Sequence, residues 1–223
     1  MEAVLAIIEE DLKNVELQFI KYLQSDVPLI SKIAEYVFSS GGKRIRPALL
    51  LLSARLCNYN GNRHVPFASV IEFIHTATLL HDDVIDKAQL RRGIASANTL
   101  WGNEASVLVG DYLFSKSFSI MVDEGNLDLL RALSNATTTI AEGEVLQLVS
   151  MNNLHITQDH YIEVIKNKTA ILLATACQAG AILGMVSAEF ETALQNFGLE
   201  LGIAFQLIDD TLDYVSSEEK FGK

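Results

Sequence analysis

The sequence predicts an all-α protein, and three observations carry the prediction. No segment alternates apolar and polar residues over a strand's length. Apolar residues recur instead with helical spacing along almost the whole chain. The breaks between these runs fall at helix-breaking residues, as at Pro28, Ser39-Ser40-Gly41-Gly42 and Asn58-Tyr59-Asn60-Gly61-Asn62.

A first amphipathic helix is expected over 2–23, and a shorter one after Pro28 that the serine-glycine run at 39–42 ends. Pro47 can start a strongly apolar helix reaching Leu56. After the loop at 58–62, Pro66 opens a long helix that ends in His81-Asp82-Asp83-Val84-Ile85-Asp86. Lys87 to Ile94 reads as a loop, and further helices are expected at about 104–122, 127–150, 158–187 and 189–213. From Thr169 to Ala188 there are 20 residues without a charge, long enough for a membrane span. Thr169, Thr175, Gln178 and Ser187 interrupt this run, and neither an aromatic belt nor a basic loop flanks it. It reads as the central helix of a bundle, with no transmembrane span, and the Gly180–Gly184 spacing would let a neighbouring helix approach. No linker divides the chain, so residues 1–223 read as one domain.

With 49% hydrophobic and 20% charged residues, a chain of 223 residues is globular rather than disordered. Its net charge of −11 argues against a nucleic-acid surface, which needs a basic stripe. A polyanionic ligand would have to be held locally, by metal ions or by clustered Lys and Arg. Cys57 and Cys177 are too few for a disulfide framework and read as buried residues in a reducing compartment. The segment Met1 to Asp11 lacks a basic start ahead of its short apolar run, so no signal peptide is expected and the location expected is cytoplasmic.

The chemistry is placed at the acidic stretch. Asp82 and Asp86 are four apart and share a helix face, with Asp83 beside them. Like charges packed into one turn call for a cation, and Mg²⁺ fits, being shared between one or two carboxylates and a substrate phosphate. The spacing returns in Phe205-Gln206-Leu207-Ile208-Asp209-Asp210-Thr211-Leu212-Asp213. One such pentad could be a solvated helix end; two, each closing an apolar helix where the dipole disfavours negative charge, point to function. Gly41-Gly42-Lys43-Arg44-Ile45-Arg46-Pro47 is either a solvated basic loop or an anion cradle of flexible backbone and bidentate donors. His75, two turns before Asp82, is either a core histidine or part of that anion site, and Arg91-Arg92-Gly93 is either a surface pair or further coordination for a diphosphate. Asp111, Glu142, Glu144 and Lys168 are charges within apolar helical text; each could face solvent, and Lys168-Thr169 could point into a cavity.

Gly41 to Pro47, His81 to Asp86, Arg91-Arg92-Gly93, Gly110-Asp111, Lys168-Thr169 and Phe205 to Asp210 occur in the order and spacing of the trans-isoprenyl diphosphate synthases. The sequence resembles that family from about residue 40 to its end. It looks most like the long-chain, octaprenyl type, through His75-Thr76-Ala77-Thr78-Leu79-Leu80 and Ile140-Ala141-Glu142-Gly143-Glu144-Val145-Leu146-Gln147-Leu148.

The resemblance implies an isoprenoid-synthase-type helical bundle around a deep central cavity, usually a homodimer, that condenses isopentenyl diphosphate with an allylic diphosphate such as farnesyl diphosphate. It implies that Asp82, Asp86 and Asp209 ligate Mg²⁺ and that Asp83 and Asp210 belong to the reactive set. Arg91, Lys168 and Lys223 would contact the allylic diphosphate, while Lys43, Arg44, Arg46, His75 and Arg92 would form the isopentenyl diphosphate cradle. Thr169 and Gln206 would offer oxygen dipoles to the allylic cation. Ala77 and Thr78, both small where some members carry a bulky aromatic, imply a tunnel that continues downward and a long product. Members of the family generally continue with further helices after the second pentad, which this sequence lacks. The alternatives are a non-catalytic regulatory subunit, disfavoured by two intact pentads, a terpene cyclase, which would not need the second pentad and the basic cluster, and a di-iron bundle, which would want paired Glu-x-x-His motifs.

Overall fold

The computed structural model describes residues 2–151 and 153–215. Two short N-terminal turns, α1 (Glu2–Leu5) and a 3₁₀ turn (Ala6–Ile8), lead into α2 (Glu9–Tyr22), α3 (Pro28–Ser39), α4 (Ile45–Leu56) and α5 (His64–Ile85). A hairpin of β1 (Leu90–Arg91) and β2 (Ile94–Ala95) precedes α6 (Ala97–Trp101), α7 (Asn103–Glu124) and α8 (Leu127–Ser150). Then come α9 (Gln158–Ile165), a π-helical segment (Lys166–Ala170), α10 (Ile171–Gly184) and α11 (Ala188–Val215).

Helix α5 is the spine. Its residues Phe67, Ile71 and Ile74 enter one core cluster with Leu50 and Leu51 of α4, Met121 of α7, Leu133 of α8 and Ala176 of α10. Phe73, Ala77 and Leu80 enter a second with Phe19 of α2, Ile33 and Phe38 of α3 and Leu113 of α7. In that second cluster the Phe19 and Phe38 rings stack with centroids 3.9 Å apart. A helix buried nearly all round holds its end residues rigidly, and for α5 those end residues are the first pentad.

Several local outcomes differ from the sequence expectation. The stretch at 87–94 is not all loop: Leu90 pairs with Ala95 and Arg91 with Ile94. Arg92 (φ 52°) and Gly93 (φ 79°) both have positive φ, as a two-residue type I′ hairpin turn requires. Helix α4 starts two residues before Pro47, because a proline in the first turn loses only an N–H that has no partner within the helix. The uncharged run from Thr169 does not form one long helix. Its first residues belong to the π segment, and α10 stops after 14 residues at Met185, which caps it in the left-handed conformation (φ 50°). Gly180 gives α10 its contact with α4, since a Cβ there would lie 2.5 Å from the Ala54 nitrogen. Among the described residues one helix, α7, is long and apolar enough to cross a membrane, and it packs along α5.

Candidate active site

The first part of the site is built by the α3–α4 connection. Gly41 (φ 96°), Gly42 (φ 147°) and Arg44 (φ 48°) fold it into a tight bend beside α5. The Arg44 guanidinium lies over the Phe38 ring at 3.8 Å from its centroid and donates to the Phe38 carbonyl at 2.8 Å. It also lies 3.9 Å from the Glu72 carboxylate and 3.5 Å from that of Glu16. Arg46 Nη1 donates to His75 Nε2 at 3.1 Å, so that imidazole nitrogen is an acceptor. Burial, and after it the positive charge of Arg46 and Arg92, holds His75 well below the ordinary histidine range. Arg46 Nε is buried without a hydrogen-bond partner.

Arg92 completes the cradle, close enough to Gly42 that a Cβ there would lie 3.1 Å from its Nη1. Lys43, Arg44, Arg46, His75 and Arg92 thus line one cleft of about 510 Å³, together with Glu72, Thr76 and Leu79 of α5 and Phe205, Ile208, Asp209 and Leu212 of α11. The two pentad-bearing helices face each other across this hollow. Glu72 escaped the sequence reading. It is 3% exposed at the floor of the cradle, where burial raises its pKa against the opposing pull of Arg44, Arg46 and Arg92. Its only sequence signal is a lone carboxylate in the apolar text between Phe67 and Ile74.

The second part surrounds Lys168. Gly143 lets the π segment close on α8, since a Cβ there would meet Asn167 Cβ at 2.8 Å and Lys168 N at 2.9 Å. The Lys168 ammonium consequently reaches Glu144 at 2.9 Å. Burial works against its charge, but Asp82 and Glu144 outweigh burial and raise its pKa. Burial also drives the Asp82 carboxyl up to about 7, eased by Lys168 and aggravated by Glu144 and Asp86. Thr169 Oγ1 donates to Gln206 Oε1 at 3.0 Å, Gln206 Nε2 donates to Asp210 Oδ1 at 2.8 Å, and the Tyr161 hydroxyl donates to Asp210 Oδ2. Lys168, Thr169, Gln206 and Asp210 line a second cleft of about 360 Å³. Neighbours in sequence, Asp209 and Asp210 therefore serve different hollows.

Other expected residues stand elsewhere. Asp83 is 1% exposed and turned away from Asp82, with both its oxygens held by Arg91 at 2.6–2.9 Å. The hairpin separates the basic pair, pairing Arg91 with Asp83 and leaving Arg92 at the cradle. Arg44 likewise is anchored by protein partners while lining the cleft. Ala77 has no exposed surface and lies in the second core cluster rather than in either cleft. Thr78 is half-buried, its hydroxyl donating to the His75 carbonyl. His81 packs against α7 at Gly110, 3.3 Å from Asp111. Lys223 lies outside the described residues.

Among the described residues no three acidic, histidine or cysteine side chains converge on one point, so Asp82, Asp86 and Asp209 do not form a ready-made cage. The donor chemistry nonetheless fits a hard divalent cation. Asp82 and Asp86 share a face, and burial first, then the nearby Glu144 and Asp86 carboxylates, disfavour charge on Asp82 despite Lys168. Mg²⁺ needs only one or two carboxylates when a substrate phosphate supplies the rest.

Residues 27–223 match the polyprenyl synthetase family. The chain is 48% identical over all 223 residues to the octaprenyl diphosphate synthase of Escherichia coli K12, covering 69% of that protein. The chain belongs to the polyprenyl synthetase family. Two solved members superpose on the whole chain. They are a polyprenyl synthase from Caulobacter crescentus complexed with calcium and isoprenyl diphosphate (TM-score 0.96, 44% identity, 68% of that chain covered) and a decaprenyl diphosphate synthase from Rhodobacter capsulatus (TM-score 0.94, 46% identity, 69% covered). This family member is an enzyme, a long-chain trans-prenyltransferase with an isoprenoid-synthase bundle. Whole-chain identity to a synthase, with both pentads intact, leaves the regulatory-subunit alternative without support.

Proposed function

We propose that the protein condenses isopentenyl diphosphate with an allylic diphosphate such as farnesyl diphosphate, with Mg²⁺, into an all-trans polyprenyl diphosphate of octaprenyl-like length. One observation carries this reading: the site has two unlike halves. The cradle of Lys43, Arg46, His75 and Arg92 can hold a diphosphate with protein cations alone. The cluster around Asp82 and Asp86 can approach a diphosphate only through a divalent cation. Two diphosphates held differently suit a reaction in which one ionises and the other stays intact.

In the condensation the allylic carbon–oxygen bond breaks and pyrophosphate departs with the electron pair. The isopentenyl double bond attacks the allylic carbon, and a proton is lost to restore neutrality. Mg²⁺ bound by Asp82, Asp86 and Asp209 would supply electrostatic stabilisation to the charge growing on the leaving group. Lys168 adds a protein cation at the same end, with Glu144 setting its position. Thr169 and Gln206 present oxygen dipoles to the electron-poor carbon. Arg46 and His75 keep the second diphosphate bound while its alkene reacts. Product length is assigned to Ala77 and Thr78, the small residues about one turn before Asp82, Ala77 buried and Thr78 half-buried. The protein is proposed to work in the cytoplasm as a homodimer, with Cys57 and Cys177 as buried free thiols.

The test is incubation with labelled isopentenyl diphosphate and farnesyl diphosphate, followed by sizing of the products. A ladder ending near eight isoprene units, abolished by EDTA and restored by Mg²⁺, is expected. Products that form equally well in EDTA would overturn the metal assignment, and products no longer than four units would overturn the length.

A further inference from the structure

We propose that Tyr161 is a positioning residue of the second acidic pentad, setting the side-chain directions of Asp209 and Asp210 through a run of three linked hydrogen bonds. The inference rests on the function proposed above and extends it to a residue outside the recognised motifs. The bonds run from Tyr161 on α9 to Asp210, from Asp210 to Gln206 on α11, and from Gln206 to Thr169 in the π segment that continues α9. Both oxygens of Asp210 accept protein donors, Oδ1 from Gln206 at 2.8 Å and Oδ2 from the Tyr161 hydroxyl. Its carboxylate is thereby fixed in one rotamer.

Helix α11 lies tight against its neighbours at Gly198 and Gly202, where a Cβ would come within 2.5–2.7 Å of Leu173, Ala174 and Ala170. Tyr161 ties α11 to α9 further along, one residue after Asp209 and on the opposite side. Because successive helical residues point about 100° apart, holding Asp210 toward the second cleft sets Asp209 toward the first. Thr169 and Gln206 acquire their orientation from the same linked bonds. Active-site geometry depends on such supporting contacts as well as on the reacting groups.

Wild type, Tyr161→Phe, Asp210→Asn, the double variant and Asp209→Asn are compared, each at a temperature where circular dichroism shows it folded. Tyr161→Phe keeps the aromatic ring and removes only the hydroxyl. We expect its kcat to fall about tenfold with KM for isopentenyl diphosphate unchanged. The rise in melting temperature produced by Mg²⁺ with inorganic pyrophosphate, which needs no turnover, should shrink in the same variant. In the Asp210→Asn background the loss of the hydroxyl should cost less than twofold, because both substitutions disturb the same Tyr161–Asp210 bond. Equal losses in both backgrounds, an unchanged kcat, or a KM effect confined to isopentenyl diphosphate would overturn the proposal. Asp209→Asn separates the two levels: if it keeps wild-type activity, the site assignment falls and this inference with it. If it is inactive while Tyr161→Phe behaves like wild type, only the role of Tyr161 is lost.

Discussion

Asp83 and Arg91 show how a motif residue acquires a role that the motif does not announce. Asp83 is 1% exposed and receives three short hydrogen bonds from one guanidinium, whose side chain is 25% exposed. Removing one partner leaves a buried charge uncompensated, so Arg91→Ala should lower unfolding free energy by about 3 kcal/mol in urea titration. The cost of an added Asp83→Ala should be much smaller than in the wild-type background. His75 supplies a pH test. Its folded pKa is depressed by burial and by Arg46, so below pH about 6.5 the unfolded chain takes up a proton that the folded protein refuses. Stability is therefore fully present above that pH and falls as pH drops, by up to about 1.4 kcal/mol per unit, until the folded pKa is reached. Denaturation of His75→Gln between pH 7 and 5 should show a shallower decline than wild type.

At the scale of elements, the π segment and the β-hairpin do most to shape the site, and both are short. The hairpin separates Arg91 from Arg92 because Arg91 ends a strand while Arg92 starts the turn at positive φ. The π segment, a geometry often found at functional sites, carries Lys168 and Thr169 past α8. Gly143 makes that approach possible against backbone atoms that have little freedom to retreat. Gly143→Ala should destabilise by about 1–3 kcal/mol through overpacking, read as a lower melting temperature, and should reduce kcat by displacing Lys168. The helix expected at about 127–150 forms over Leu127–Ser150, and Asn126 fixes its start by accepting from the Leu129 N–H. The hairpin was not legible in the sequence, because two-residue strands are too short to display a period. Nor was the π segment, because a single extra residue in a turn leaves the apolar pattern of residues 158–184 nearly intact.

For the whole molecule, the outward faces of α7 and α8 carry exposed apolar residues, with Leu108 at 67%, Val122 at 63%, Val145 at 59% and Val149 at 72%. Patches of this kind mark association surfaces. Sedimentation should find a dimer, and Leu108→Glu with Val122→Glu should shift it toward monomer. Chelation is the second test at this scale. EDTA should leave the melting temperature of the free protein little changed, because among the described residues no three ligating side chains converge without a substrate phosphate. It should abolish the further stabilisation seen with pyrophosphate.

Repetition of one carboxylate pattern at two apolar helix ends, with basic clusters before and after the first, made helices, metal-assisted diphosphate chemistry and family legible from the residues alone. These properties depend on periodicity and on the kinds of charge present, and both are written along the chain. Which charges meet was decided by tertiary structure: Asp83 with Arg91, Lys168 with Glu144, Glu72 beneath three arginines, and Tyr161 with Asp210. Such pairings join residues up to 49 positions apart. Their partners are selected by helix packing and by which groups lose their water together, and no local spacing records either.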